Sequence, residues 1–225
     1  MIPAEKRILV KEVTLDMANN MESSIKQSFP QAYMVTDRFH VVKLIIEVLQ
    51  HIRIKFRWEE LDIENLAIEN AKKKGEKYKP FILENGDTPK QLLARSRYVL
   101  AKKSNEWTKS QKQRADILFN RYPLLKVIYN HVMEFRNIYE TQNRDDAKIS
   151  FLNWINKTEK LDVKEFNSAC NTIKNNLNNI LNFFINRNTN ANAESFNSKI
   201  KLFRANLRGV IDNSFFLFRL NKLFA

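Results

Sequence analysis

Residues 8–43 read ILVKEVTLDMANNMESSIKQSFPQAYMVTDRFHVVK, and this stretch decides the fold class. Residues 8–16 are rich in β-branched and apolar side chains, with Val13 and Leu15 on one side, and they stop at Asp16. That is the pattern of a strand. Met17–Phe29 has helical spacing and ends at Pro30, beside which the α conformation is disfavoured. Residues 32–37, AYMVTD, give a second short strand that again stops at an acid, Asp37, and a long helix is expected from Phe39. Strand, helix, strand, helix with short connections implies two parallel strands joined by a right-handed crossover. This topology puts Asp16 and Asp37 at the same carboxyl edge of the sheet, where α/β proteins keep their sites. Each Asp also precedes a helix, and Asp is a preferred N-cap. A capping box would need Glu or Gln three residues on, and Asn19 and His40 stand there instead.

Beyond about Arg57 the strand signals vanish as far as Ile185. Lys90–Lys103, Trp107–Phe119, Pro123–Tyr139, Asp145–Asn156 and Val163–Arg187 each repeat apolar residues at three-to-four spacing, the signature of amphipathic helices. KKKGEKY (72–78) and ENGDTP (84–89) read as connectors, the latter opening the helix that follows. Next comes Asn190–Arg208, with Gly209 as its C-cap, and then an apolar helix, Ser214–Phe224. The expected fold is therefore mostly α with a small parallel α/β piece. It divides into a strand–helix–strand–helix unit (1–56), an all-helical insertion (57–187) and C-terminal helices (188–225). Two strands do not make a stable sheet by themselves, so further strands or another chain are expected to complete it.

Asn190–Arg208 sorts into two adjoining stripes at 100° per residue. Phe196, Ile200, Phe203 and Leu207 form a seam expected to face the core. Glu194, Asn197, Lys201, Arg204 and Arg208 lie on the neighbouring arc. Alone this is an amphipathic helix with a solvated basic face. With partner carboxylates elsewhere, it becomes a metal-binding Glu heading a line of amide and cationic groups suited to a phosphate backbone.

The totals agree with an anionic partner: 225 residues carry a formal net charge of +13 and a pI near 9.8. Only 3 glycines occur, and neither the dinucleotide-binding fingerprint nor the P-loop is present. Cys170 is the only cysteine, which rules out an intrachain disulfide and a multi-cysteine zinc site and suits a small core residue. Trp58, Trp107 and Trp154 could stack on bases or simply fill the core. No apolar run is long enough to span a membrane, and no signal-peptide architecture opens the chain. A cytoplasmic bacterial protein, nucleoid-associated when bound to DNA, is the expectation.

VTLDM (13–17), FPQA (29–32) and DRFHVVK (37–43), followed far downstream by TNANAESFNSKIK (189–201) and Arg219, resemble the transposases of the ISL-three group of bacterial insertion sequences. The resemblance covers essentially the whole chain in the right order. It implies a ribonuclease-H-like fold, here a partial one of two strands interrupted by the helical insertion. It also implies a DDE triad holding two Mg²⁺ (or Mn²⁺) ions for cleavage and strand transfer of DNA. On this resemblance Asp16 matches the second Asp and Glu194 the final acid, both catalytic and metal-binding. Asp37 and His40 match a D-x-x-H element beside the site, and Asn197 joins them in a supporting role. His40 also reads as an ordinary half-buried histidine. Lys199, Lys201, Arg204 and Arg208 would contact phosphates of double-stranded DNA, both element ends and target.

The triad's first Asp has no counterpart. Only Glu5 and Glu12 precede Asp16, and Glu12 lies about 13 Å back along the strand, too far to share a metal. The expectation is the C-terminal part of a transposase, inactive alone, whose partners are DNA, further copies of itself and the absent N-terminal part. A non-catalytic DNA-binding or assembly module, decayed or co-opted from a transposase, is the other reading.

Overall fold

Glu12–Leu15 (β1) and Tyr33–Thr36 (β2) pair in parallel, with Glu12 opposite Tyr33 and Leu15 opposite Thr36. The computed structural model describes residues 3–17, 19–207 and 212–224. Around the strands run α1 (Ala4–Ile8), α2 (Asn19–Ser28), α3 (Arg38–Lys73), α4 (Pro89–Arg95), α5 (Arg97–Ala101), α6 (Lys109–Arg121) and α7 (Pro123–Ile138). They are followed by α8 (Arg144–Leu161), α9 (Phe166–Asn175), α10 (Leu177–Leu181), α11 (Phe183–Asn186), α12 (Ala191–Asn206) and α13 (Asn213–Phe224). The protein is mostly helical with a two-stranded parallel sheet, as expected.

The first strand is shorter than its pattern suggested. Residues 4–8 are helical, opened by Pro3, whose carbonyl accepts from the amides of Lys6 and Arg7. Proline is favoured at helix starts and AEKR are good helix formers, so local preference wins there over the apolar run.

Helix α3 is the axis of the molecule. Its 36 residues span about 54 Å at 1.5 Å per residue and run unbroken through residues 56 and 57. Val41, Ile45, Leu49 and Ile52 recur at three-to-four spacing and are buried against α4, α5, α7 and α9. One apolar core joins Val35 of β2 through these residues to Leu125, Phe135, Phe151, Trp154, Phe166 and Phe184 of the later helices. Cys170 and Trp154 belong to that core, whereas Trp58 is exposed. Trp107 is partly buried and donates its indole N–H to the Val99 carbonyl at 2.9 Å. Thr88 and Thr108 start α4 and α6 with capping boxes closed by Gln91 and Gln111.

The continuous helix expected over Val163–Arg187 is three pieces, α9, α10 and α11. The breaks fall at Asn176 and Asn182, whose side chains bond backbone carbonyls: Asn176 to Thr172 at 2.8 Å and Asn182 to Met34 at 2.9 Å. Asn competes for backbone groups in this way and weakens helix interiors. The second bond lays α10 along the edge of β2 and occupies one of its open carbonyls.

The apolar seam of α12 does not face the core. Phe196 is 43% exposed, and its ring meets Phe224 of α13 at 5.5 Å, while Phe203 stacks on Phe216 at 5.9 Å. No described residue of α12 or α13 is buried. The two helices form a hairpin that pairs its own aromatics, because the core is already filled by α3 and α7–α11. Gly209, expected as a C-cap, and Arg208 lie outside the described residues. No helix among the described residues is long and apolar enough to cross a membrane.

Candidate acidic site

The parallel register brings Asp16 and Asp37 side by side, each directly after its strand, and the Asp37 amide continues the ladder to the Leu15 carbonyl at 2.9 Å. Their side chains then part. Asp37 is 2% exposed and caps α3, its Oδ1 accepting from the Phe39 amide at 2.7 Å. Its Oδ2 accepts from the Asn190 amide at 2.9 Å, across 153 residues of chain. One buried carboxylate therefore fixes both the start of α3 and the approach to α12.

The chain is returned to that point by α11. Arg187 ends α11 in the left-handed conformation (φ 57°) and donates to the carbonyls of Tyr139 and Thr141. Its guanidinium also lies over the rings of Phe183 and Phe184. From Asn190, one turn of helix carries Glu194 to the sheet edge.

His40 stands one turn into α3 and is the meeting point. Its Nε2 lies 2.8 Å from Asp16 Oδ1 and 3.6 Å from Glu194 Oε1. Both carboxylates are about half exposed, at 49% and 54% of their side chains. The exposed Phe39 ring meets the imidazole edge-on at 5.3 Å. Asp16, His40 and Glu194 thus converge from three elements on one solvent-open point, with Asp37 buried behind them. Asn197 is exposed one turn further along α12 and makes no hydrogen bond among the described residues. Lys199, Lys201 and Arg204 are likewise exposed there, without an ion pair among the described residues.

Glu12 takes no part. It sits at the opposite end of β1, accepting from Tyr33 Oη at 2.8 Å and Asn186 Nδ2 at 3.0 Å. Burial pushes its carboxyl up, but the bonds from Asn186, Tyr33, Asn188 and Thr14 outweigh this and hold it below the usual range. The donor set at the edge is two carboxylates and an imidazole, with hard oxygens of the kind Mg²⁺ and Mn²⁺ prefer. Two of these donors are the oxygens that a divalent cation would need. Among the described residues no three His, Cys, Asp or Glu side chains form a complete metal cluster. The donors fit such an ion in kind and fall short of it in number.

The capping role read for Asp37 from the sequence is seen in its bond from the Phe39 amide. Its second partner, the Asn190 amide, leaves no trace in side-chain spacing.

An acidic pair bridged by histidine at the carboxyl edge of parallel strands, on a strongly basic helical protein, defines the class to which this chain should be compared. The chain belongs to the ISL3-type transposases: the model of that family, described as transposase, matches residues 1–220. It is also similar to the transposase for insertion sequence element IS1001 of Bordetella parapertussis, 23% identical over 216 residues. That match covers 96% of this chain and 48% of the relative, so the chain spans about half the relative's length. No solved structure matches.

Proposed function

We propose that this chain acts in DNA transposition as the part of a DDE transposase that carries two of its three acids, Asp16 and Glu194, on a partial ribonuclease-H-like core. In this reading residues 1–56 and 188–225 form that core and 57–187 are the insertion. The observation that supports it most is the convergence of Asp16, His40 and Glu194, from strand, helix and distant helix, on one exposed point.

Asp16 and Glu194 would hold a divalent cation, which when bound supplies Lewis-acid stabilisation for phosphodiester chemistry. His40 holds the Asp16 carboxylate in place at 2.8 Å and stands 3.6 Å from Glu194. Asp37 positions both elements through the amides of Phe39 and Asn190. Lys199, Lys201, Arg204 and Arg208 would neutralise phosphates of double-stranded DNA, and Asn197 would orient the strand beside Glu194. A third acid has to come from outside the described residues, from further transposase sequence or another copy of the chain. The isolated chain is therefore proposed to bind metal without cleaving DNA.

Titration of the purified chain with Mn²⁺, followed by electron paramagnetic resonance, tests this. Binding should weaken about tenfold or more in Asp16→Asn and in Glu194→Gln. Unchanged binding in both variants would overturn the proposed metal role. Mn²⁺-dependent DNA cleavage by the wild-type chain that is lost in Asp16→Ala would overturn the proposed inactivity.

The incomplete donor set favours one alternative, a non-catalytic DNA-binding module. It requires salt-sensitive DNA binding that is indifferent to Asp16→Asn and to metal.

A further inference from the structure

The acidic site opens onto a basic groove that nothing above assigns. Between the first turns of α3 and the end of α7 lies a cleft of about 410 Å³ lined by Arg38, Phe39, Lys43, Lys103, Arg136 and Glu140 among others. Glu140, its one carboxylate, is taken up by Lys103. Arg38 is held over the rings of Tyr139 and Phe183, and Arg136 is fixed by the Ala101 carbonyl at 2.9 Å. Neither Arg38 nor Arg136 forms an ion pair among the described residues.

The cationic surface continues along α3. Lys43, Gln50, Arg53 and Arg57 recur at intervals that keep one helix face, and Glu47 on that face lies 3.8 Å from Lys43. Gln50 joins this face to α5, donating to the Arg97 carbonyl at 3.0 Å and accepting from Arg53 Nε at 2.7 Å. Arg53 is 5% exposed and donates to the Leu93 carbonyl at 2.9 Å, with no carboxylate beside it. Burial first, then the charges of Arg97 and Arg57, push its guanidinium below the usual range. Three arginines are thus gathered without a counter-charge among the described residues. Arg57 and Arg97 are exposed. From Phe39 to Arg57 the track runs about 27 Å at 1.5 Å per residue, which matches about eight phosphate steps of one strand at 3.4 Å.

The geometry points to this groove as a nucleic-acid backbone track: α3, from Lys43 to Arg57 with Arg97 alongside, carries the phosphates of a DNA duplex whose end is delivered to Asp16, His40 and Glu194. It is a surface distinct from the cations of α12, and it deepens the proposed function, resting on DNA being the partner. The contacts are to phosphates, so the track carries register and affinity and does not read sequence. The Phe39 ring stands at the junction of groove and acids, a flat apolar face where a terminal base can rest.

Fluorescence anisotropy with a fluorescein-labelled duplex of about 30 base pairs and arbitrary sequence, at a series of NaCl concentrations, tests the proposal. The chain carrying Lys43→Ala, Arg57→Ala and Arg97→Ala should bind tenfold or more weakly, with the slope of log K against log salt reduced by about 3. All three side chains are exposed, so the circular dichroism spectrum should stay that of the wild type. The charge-conserving set Lys43→Arg, Arg57→Lys and Arg97→Lys should keep wild-type affinity. Wild-type affinity and slope in the alanine chain would overturn the track while leaving DNA as the partner. If Lys199→Ala, Lys201→Ala and Arg204→Ala alone remove binding, the duplex lies on α12. A wild-type chain that binds no duplex even at low salt overturns both the track and the DNA reading beneath it.

Discussion

Asp37 holds two backbone amides on one buried carboxylate, so its loss is felt twice. Asp37→Ala removes the cap of α3 and strands the Asn190 amide, at a cost of about 2–4 kcal/mol in urea unfolding. Asp37→Asn keeps one acceptor oxygen and should lose about half as much. Buried His131 offers a second test. Its Nε2 lies 2.7 Å from Thr158 Oγ1, whose own proton goes to the Trp154 carbonyl at 2.8 Å, so the imidazole donates from Nε2. Nδ1 is left facing Glu134 at 3.9 Å, and Lys157 pairs with the same Glu134. Burial lowers the imidazole's pKa, with Glu134 opposing and Lys157 adding to the shift. The unfolded chain then binds the proton more readily than the folded one. Stability supplied by neutral His131 is present above about pH 6.5 and is lost as pH falls from there towards the folded pKa. Wild type should lose stability in that window relative to His131→Gln when both are unfolded in urea at pH 7.5 and 5.5. Parallel curves would show that His131 contributes nothing to the slope.

At the scale of elements, the α12–α13 hairpin and the rest of the fold should separate. The hairpin is held by Phe196, Phe203, Phe216 and Phe224, all outside the central core. Phe203→Ala should therefore open it locally. Amide exchange in α12 and α13 should speed up about tenfold, while the unfolding free energy of the whole chain in urea changes by less than about 0.5 kcal/mol. Glu194 rides on α12, so the same variant should weaken Mn²⁺ binding without touching a ligand. Equal loss of protection in α7 and α8 would show that the hairpin belongs to the core. The helical periods of α6, α7 and α8 were legible because each buries one continuous stripe. The division of 163–187 was not, because it turns on which carbonyls Asn176 and Asn182 find, and one of these belongs to a strand about 148 residues away.

For the molecule as a whole, a single core running from Val35 to Phe184 predicts one cooperative transition for the sheet and the helical part together. Far-ultraviolet circular dichroism and tryptophan fluorescence should give the same midpoint. Separate midpoints would mean that the residue-57 boundary read from the sequence divides two folding units. Phe135 packs its ring against Tyr139, Phe151 and Trp154 at the centre of that core. Phe135→Ala should cost about 3–5 kcal/mol.

The sequence by itself determined the strand–helix–strand–helix opening, the helical body, the charge and the acids at the strand ends. These follow from local periodicity and from the fixed hand of a parallel crossover. What only the tertiary structure decided is where the distant pieces land. The α12 seam could have faced the core or a neighbour, since periodicity says that a face is buried and not against what. Asp37 reaches Asn190 through a backbone amide, which every residue but proline carries, so no sequence pattern marks it. The cleft beside α3 joins cations from α3, from α7 and from Lys103 after α5 that lie up to 98 residues apart, from Arg38 to Arg136, and only packing brings them together.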